Sequence, residues 1–323
     1  MKKFINGPEN VVRDMLEGIE RVHREIRISY DPAFVYRADV PVKKVSLISG
    51  GGSGHEPLHC GYVGTGMLDA ACPGYVFTSP TPQQISEACK KVYGGRGALF
   101  VVKNYSGDVM NFAIARDLLS DEGYEIESTL VADDISIKEK ENRRGVGGTV
   151  FIEKIAGAAA EKGFELGEVK RIADKTADNC ASIGIALQPC VLPQTGKANF
   201  ELGEDEMEFG IGIHGELGKE RREIESADRL AVLMMEAIES EISVGDRMAL
   251  LINGMGGTPL MELYVLARKT LDILRERSEI SRVLVGNYIT SLDMQGASIT
   301  CLTLDEELEE LLNVPVDTPA LRW

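Results

Sequence analysis

The stretch Val45–Glu56 reads VSLISGGGSGHE, and its reading decides the fold. A short β-branched run, KKVSLIS at 43–49, enters a segment in which four of the five residues 50–54 are glycine. The run predicts a strand, and the glycines predict its end. The same design recurs at ALFVVKNYSGD, residues 98–108: a continuous apolar run typical of a buried parallel strand, then a polar turn. Between and around these runs the spacing is helical. SPTPQQISEACKKVYGG opens on prolines and closes on Gly94-Gly95, as helices do, and DVMNFAIARDLLS resumes helical spacing after the turn. YEIESTLVAD (124–133) reads as a strand, and GGTVFIEKIAGAAAEKG and GEVKRIADKTADNC as helices. An N-terminal helix follows from Val11, Met15, Ile19 and Val22.

Strands alternating with helices predict a parallel or mostly parallel sheet covered by helices on both faces. Ligands of such sheets sit at the carboxyl ends of the strands. Both SGGGSGHE and KNYSGD lie at strand exits, so the two loops face each other if their strands are neighbours. The pattern restarts near residue 180. ASIGIALQPC, MEFGIGIHGELG, DRMALLIN, RVLVGNYIT and ASITCLTL read as strands; ADRLAVLMMEAIES, LMELYVLARKTLDIL and DEELEELL read as helices, with Thr258 expected to cap the second. The expected organisation is two α/β domains, 1–180 and 181–323, the second a smaller mixed-sheet domain.

Glycine-rich loops invite a nucleotide reading, and the register rejects it. Residues 50–55 offer no Walker lysine, and both Gly-Lys pairs, at 196–197 and 218–219, lack the following Ser or Thr. His55 stands where a nucleophile elbow requires glycine. A G-x-G-x-x-G match exists at Gly210, Gly212 and Gly215, but the charged ELGKERREIE follows it where a Rossmann helix needs an apolar stripe. The formal net charge of −16 disfavours nucleic acid and anionic membranes. Six cysteines without a C-x-x-C pair form neither a zinc site nor a disulfide framework, and no segment resembles a signal peptide or membrane span. A cytoplasmic protein without a metal centre is expected.

What remains is a polar set on glycine-bearing loops: His55, Lys103 and Asp108 in the first half and His214 in the second. Each has an ordinary explanation. Asp108 suits a helix N-cap, Lys103 a solvated site, His55 and His214 loop hydrogen bonds, and His59 reads as structural. Together they supply acid, base and charge stabilisation for a small hydroxylated molecule, with glycine backbone near its oxygens.

Several long segments carry a family resemblance: SLISGGGSGHEPLHCGYVGTGMLDAACPG, FTSPTP, VKNYSGD, RRGV, DEMEFGIGIHGELG, TPLMELY, TSLDM and the terminal VDTPALRW. They resemble the dihydroxyacetone kinase K subunit over nearly the whole chain. The resemblance implies a dimeric, two-domain α/β protein that binds dihydroxyacetone. It implies a separate L subunit that carries ADP and magnesium and hands over a phosphoryl group supplied by the phosphoenolpyruvate-dependent phosphotransferase system. No cofactor is expected on this chain, which ends without an L-type domain. By matching motif, His214 would form a covalent hemiaminal with the ketone, Asp108 would be the base for the primary hydroxyl, and His55 its acid/base partner. Gly52, Ser53, Gly54 and Lys103 would hold substrate oxygens. Two segments depart from the pattern: the connection from His214 to the strand at 247 is short, and NGMGGTPL differs from the usual glycine loop. Two other readings stay open. One is a sensor paralogue that binds dihydroxyacetone and co-activates a transcription regulator; the other is a lipid-binding protein of the DegV type.

Overall fold

The computed structural model describes residues 2–40 and 42–323. They form two compact units, neither contiguous in sequence: 2–131 with 151–176 and 310–323, and 132–150 with 177–309. The division is discontinuous where the sequence reading places one boundary at 180. The C-terminal tail returns to the first unit because its backbone is tied there: Lys154 Nζ donates to Leu311 O at 3.0 Å, and Asp317 pairs with Thr65.

The first unit begins with α1 (Val11–Val22) and contains strands β1 (Ile26–Tyr30), β2 (Ala33–Arg37), β3 (Ser46–Ser53), β4 (Ala70–Val76), β5 (Ala98–Lys103) and β6 (Ile126–Val131). They assemble in the order β1-β2-β4-β3-β5-β6. β4, β3, β5 and β6 run parallel; β1 and β2 join antiparallel at one edge. Helices α2 (Pro82–Val92) and α3 (Ser106–Asp121) bury Ile85, Cys89, Phe112 and Leu119 against Ile48, Phe100 and Val102. Thr129 of β6 pairs in register with Val101, the residue between those two, and so points to the opposite face. There it hydrogen-bonds Asp174 of α5 (Leu166–Asp178), at 2.9 Å. Helices therefore cover both faces, as the alternation predicts. α2 starts as its sequence directs: Thr81 and Gln84 form a reciprocal capping box, with Pro82 in the first turn.

Three local expectations change. β3 does not stop at the glycines but runs through them to Ser53, because Gly50, Gly51 and Gly52 lie in register with Cys72, Pro73 and Gly74 of β4. A Cβ on Gly50 would come within 2.6 Å of the Cys72 carbonyl oxygen, so glycine is what lets the two strands pair. β4 itself carries Pro73 and Gly74, which hides it from a propensity reading. The β1–β2 hairpin is likewise unmarked, its turn being Asp31-Pro32 rather than a glycine pair.

The second unit holds β7 (Cys180–Gln188), β8 (Glu206–Phe209), β9 (Glu220–Glu223), β10 (Arg247–Gly254), β11 (Glu279–Gly286) and β12 (Gln295–Leu304), ordered β11-β10-β12-β7-β8-β9. β10 and β11 are parallel and the remaining pairs antiparallel, a mixed sheet. Helices α6 (Ala227–Glu239) and α7 (Leu260–Arg275) bury Met234, Ile238, Leu263 and Leu266 against Ile183, Ile185, Leu250 and Ile252. Thr258 does not cap α7, whose N-cap is Pro259; its hydroxyl instead exchanges hydrogen bonds with the Gly296 backbone at 2.6 and 2.8 Å. α4 (Gly148–Glu161) and α8 (Glu306–Asn313) complete the α-helices among the described residues. No helix among the described residues is long and apolar enough to cross a membrane.

The β3 register gives a direct test. Gly50→Ala should destabilise the protein by about 1–3 kcal/mol, the usual cost of forcing volume into a packed site. Gly18→Ala, at a helical position with open space around it, should stabilise it by about 0.5–1 kcal/mol. Urea unfolding midpoints of the two variants against the parent check both signs.

Candidate active site

β3 and β5 are hydrogen-bonded neighbours, so the loops that leave their carboxyl ends emerge side by side. The β3 loop is held by its own polar groups. Ser53 Oγ donates to Gly74 O at 2.7 Å. Gly54, at a φ of 105° that suits glycine, donates its N–H to both carboxylate oxygens of Glu56, at 3.2 and 2.9 Å. Burial pushes the Glu56 carboxyl above its ordinary range, opposed by hydrogen bonds from its own amide and that of Gly54. Glu56 is the loop's clamp, a role the sequence reading did not assign. Next to it, His55 is buried and stacks on Phe77, ring centroids 5.0 Å apart and planes 14° from parallel. Phe77 N–H donates to Ser53 O at 2.9 Å, which ties the stacking partner to the same loop.

Lys103 is the last residue of β5, and only 1% exposed. Its ammonium reaches Gly50 O at 3.1 Å, His59 Nε2 at 2.8 Å and Asp108 Oδ2 at 3.4 Å. Asp108 is not the N-cap of α3. That position belongs to Tyr105, and Asp108 sits within the first turn, buried, with its side chain turned to Lys103. The first turn of a helix still favours its negative charge. Its second oxygen, Oδ1, is buried without a hydrogen-bond partner among the described residues. A carboxylate with one oxygen ion-paired and one unmatched is built to accept a proton or hydrogen bond from something that enters.

His214 belongs to the other unit and lies in the turn after β8, not in a strand. The glycines of the G-x-G-x-x-G match serve this turn. A Cβ on Gly212 would strike the Glu216 carboxylate and the Arg144 guanidinium, and one on Gly215, at φ 82°, would strike Asn199. Glu216 accepts from the His214 backbone N–H at 3.0 Å and pairs with its Nδ1 at 2.9 Å. Burial raises the Glu216 carboxyl, but the His214 hydrogen bond and charge, its own amide and Arg144 outweigh this and bring it down to about 2. An ionised Glu216 only accepts, so it draws the ring proton to Nδ1 and leaves the lone pair on Nε2. Arg144 is in turn fixed by Asp134 Oδ2 at 2.7 Å and Gly210 O at 2.9 Å. The RRGV motif was the available signal for Arg144, and the glutamate of GIHGE for Glu216.

A family model described as the Dak1 domain matches residues 17–320. The chain belongs to the Dak1 domain family. It is 48% identical over 328 residues to the PTS-dependent dihydroxyacetone kinase 1, dihydroxyacetone-binding subunit DhaK, of Listeria innocua, covering 99% of this chain and 100% of that relative. The structure of the dihydroxyacetone kinase of C. freundii matches this Dak1 domain with a TM-score of 0.94 and 35% identity, over 98% of this chain and 60% of that one. A dihydroxyacetone kinase operon co-activator, Dha-DhaQ, matches with a TM-score of 0.91 and 35% identity, over 95% of this chain and 97% of that one.

The Glu216 pairing sets a pH dependence. A carboxyl lowered from 4.5 to about 2 contributes stability that is complete above 4.5 and is lost as pH falls towards 2. Glu216→Gln should therefore lower stability at neutral pH, and the gap from the parent should close on acidification through that window. Thermal unfolding followed by circular dichroism across the acid range checks it; a gap that stays constant with pH would contradict the assignment.

Proposed function

We propose that this Dak1 domain is the dihydroxyacetone-binding subunit of a phosphoenolpyruvate- and phosphotransferase-system-dependent dihydroxyacetone kinase, working in the cytoplasm as a homodimer with a separate L subunit. The observation that carries this reading is Asp108: a buried, ion-paired carboxylate with one unmatched oxygen, beside a glycine-lined loop. The near-complete coverage of the Listeria innocua subunit supports it.

In this reading the ketone carbon is attacked by Nε2 of His214, forming a C–N bond as the carbonyl π electrons move to oxygen. Glu216 holds the opposite ring nitrogen and stabilises the positive charge that develops on the imidazole. His55, oriented by Phe77, supplies the proton that turns the carbonyl oxygen into a hydroxyl. The hemiaminal explains selectivity for a ketone over glycerol, whose hydroxyls are similar but which has no carbonyl to add to. Asp108 Oδ1 takes the proton of the primary hydroxyl as that oxygen attacks phosphorus. Lys103 and the backbone of Gly52, Ser53 and Gly54 would hold the substrate oxygens. The L subunit would hold ADP and magnesium: the phosphoryl group that its donors place on this ADP would pass to the hydroxyl oxygen, with ADP as the leaving group and magnesium screening the charge.

The second reading, a dihydroxyacetone sensor that acts with a transcription regulator, draws support from the close likeness to the Dha-DhaQ co-activator. The two separate on turnover. Carbon-13 dihydroxyacetone labelled at the ketone should give, with the parent protein, a broad protein-bound tetrahedral-carbon resonance distinct from that of the free hydrate, and none with His214→Ala. Asp108→Asn should keep that resonance and lose roughly 100- to 10,000-fold in dihydroxyacetone phosphate formation with an ADP-loaded L subunit and its phosphoryl donors. An adduct without product, using a partner that is active with another K subunit, overturns the kinase reading in favour of the sensor.

A further inference from the structure

The glycine strand conceals a buried chain of polar groups of which the reaction above uses only one end, Asp108 and Lys103. It runs from Asp108 to Lys103, from Lys103 to His59 Nε2 at 2.8 Å, and from His59 Nδ1 to Glu153 Oε1 at 2.6 Å. The four residues come from α3, β5, the loop after β3 and α4, and none is more than 4% exposed. Burying four ionisable side chains costs heavily unless each is matched, so their alignment requires an account.

The donors fix the direction of every bond. An ammonium has three protons and no lone pair. Those of Lys103 point to Gly50 O, His59 Nε2 and Asp108 Oδ2, so His59 Nε2 must accept. The ring proton therefore sits on Nδ1 and is donated to Glu153 Oε1. Burial, then the charges of Lys103 and His55, hold His59 neutral, its pKa well below the ordinary range, as this arrangement requires. Burial also pushes Glu153 up, to about 8, against the pull of Lys103. His59 is thus the neutral link between Lys103 and Glu153. Gly51 makes room for it: a Cβ there would overlap Lys103 Nζ and lie 3.3 Å from His59 Nε2.

We propose that His59 and Glu153 are positioning residues that hold the Lys103 ammonium at a set distance from Asp108. Lys103 is closer to His59 and Gly50 than to Asp108, at 2.8 and 3.1 Å against 3.4 Å. A tightly paired lysine would commit Asp108 wholly to the ion pair, and an absent one would leave a buried carboxylate without a partner. The His59–Glu153 arm keeps Lys103 between these limits. His59 is then no isolated structural histidine, and Lys103 acts first on Asp108.

The relevance to turnover rests on the kinase reading, and the chain itself does not, so the test has two arms. Nitrogen-15 NMR at neutral pH should show His59, assigned by its loss in His59→Gln, protonated at Nδ1 and bare at Nε2. A proton on Nε2, or on both nitrogens, overturns the proposal whether or not the protein turns over. In the kinetic arm, His59→Leu should lower kcat roughly 100-fold while KM and the dihydroxyacetone adduct persist. His59→Gln, whose amide can accept from Lys103 and donate to Glu153, should recover most of that loss. A folded His59→Leu variant with unchanged kcat overturns the positioning role, as does a parallel loss of kcat, adduct and thermal stability in both variants. If the parent forms no product with an active L subunit, the kinase reading falls, and the tautomer decides the chain alone.

Discussion

The close approach of β3 to β4 is the constraint on which the first unit depends. Gly50, Gly51 and Gly52 pair with Cys72, Pro73 and Gly74, where side chains would meet backbone or the Lys103 ammonium. The missing side chains have two effects. They let the parallel ladder continue to Ser53, and they open a volume behind the strand into which Lys103 and His59 fit. The glycines that looked like a phosphate loop are thus part of the sheet. Anion binding by such a loop needs free N–H groups in a turn, whereas the strand residues here pair with their neighbours.

Polar burial follows from that geometry. Where β3 carries only glycines, at 50–52, the end of β5 lies against it, and Lys103 can reach Gly50 O, His59 and Asp108 together. The second unit solves a similar problem with different groups. Its tight glycine turn wraps the Glu216 carboxylate, which orients His214, while Arg144 braces the turn through Gly210 O. In both units a glycine-bearing turn is held by a carboxylate: Glu56 accepts from Gly54, and Glu216 pairs with His214. Neither turn presents the regular helix start that nucleotide loops use.

Much of this was legible in the sequence, for identifiable reasons. The buried strands β5 and β10 and the amphipathic helices announce themselves through apolar runs and period, and the neighbouring of β3 and β5 fits the expected facing of their loops. What escaped depends on contacts remote in sequence or on glycine and proline acting against their usual meaning. β4 carries Pro73 inside a sheet interior, and β3 continues through glycines that ordinarily end a strand. Glu153 lies 94 residues from His59, and no local pattern links them. Asp108 shows the limit of local rules most clearly. Its place at the start of α3 invites a capping reading, but the side chain turns to Lys103, a partner that only the sheet supplies.

Asp108 also bears on what the protein is for. A receptor that only recognises a ketone needs a nucleophilic histidine and a snug pocket; it gains nothing from a carboxylate that is buried, placed beside a lysine and half unmatched. Such a group is a poor device for stability, because desolvation takes back much of what its ion pair supplies. Lys103 is equally costly to bury, and it is kept in place by an arm that extends through His59 to α4. The expense becomes intelligible if the unmatched oxygen has a proton to accept at the moment a hydroxyl becomes a nucleophile. A co-activator with the same fold could inherit the histidine and lose this apparatus without penalty, so the state of the Asp108–Lys103–His59–Glu153 chain, rather than the fold, is where kinase and sensor should part.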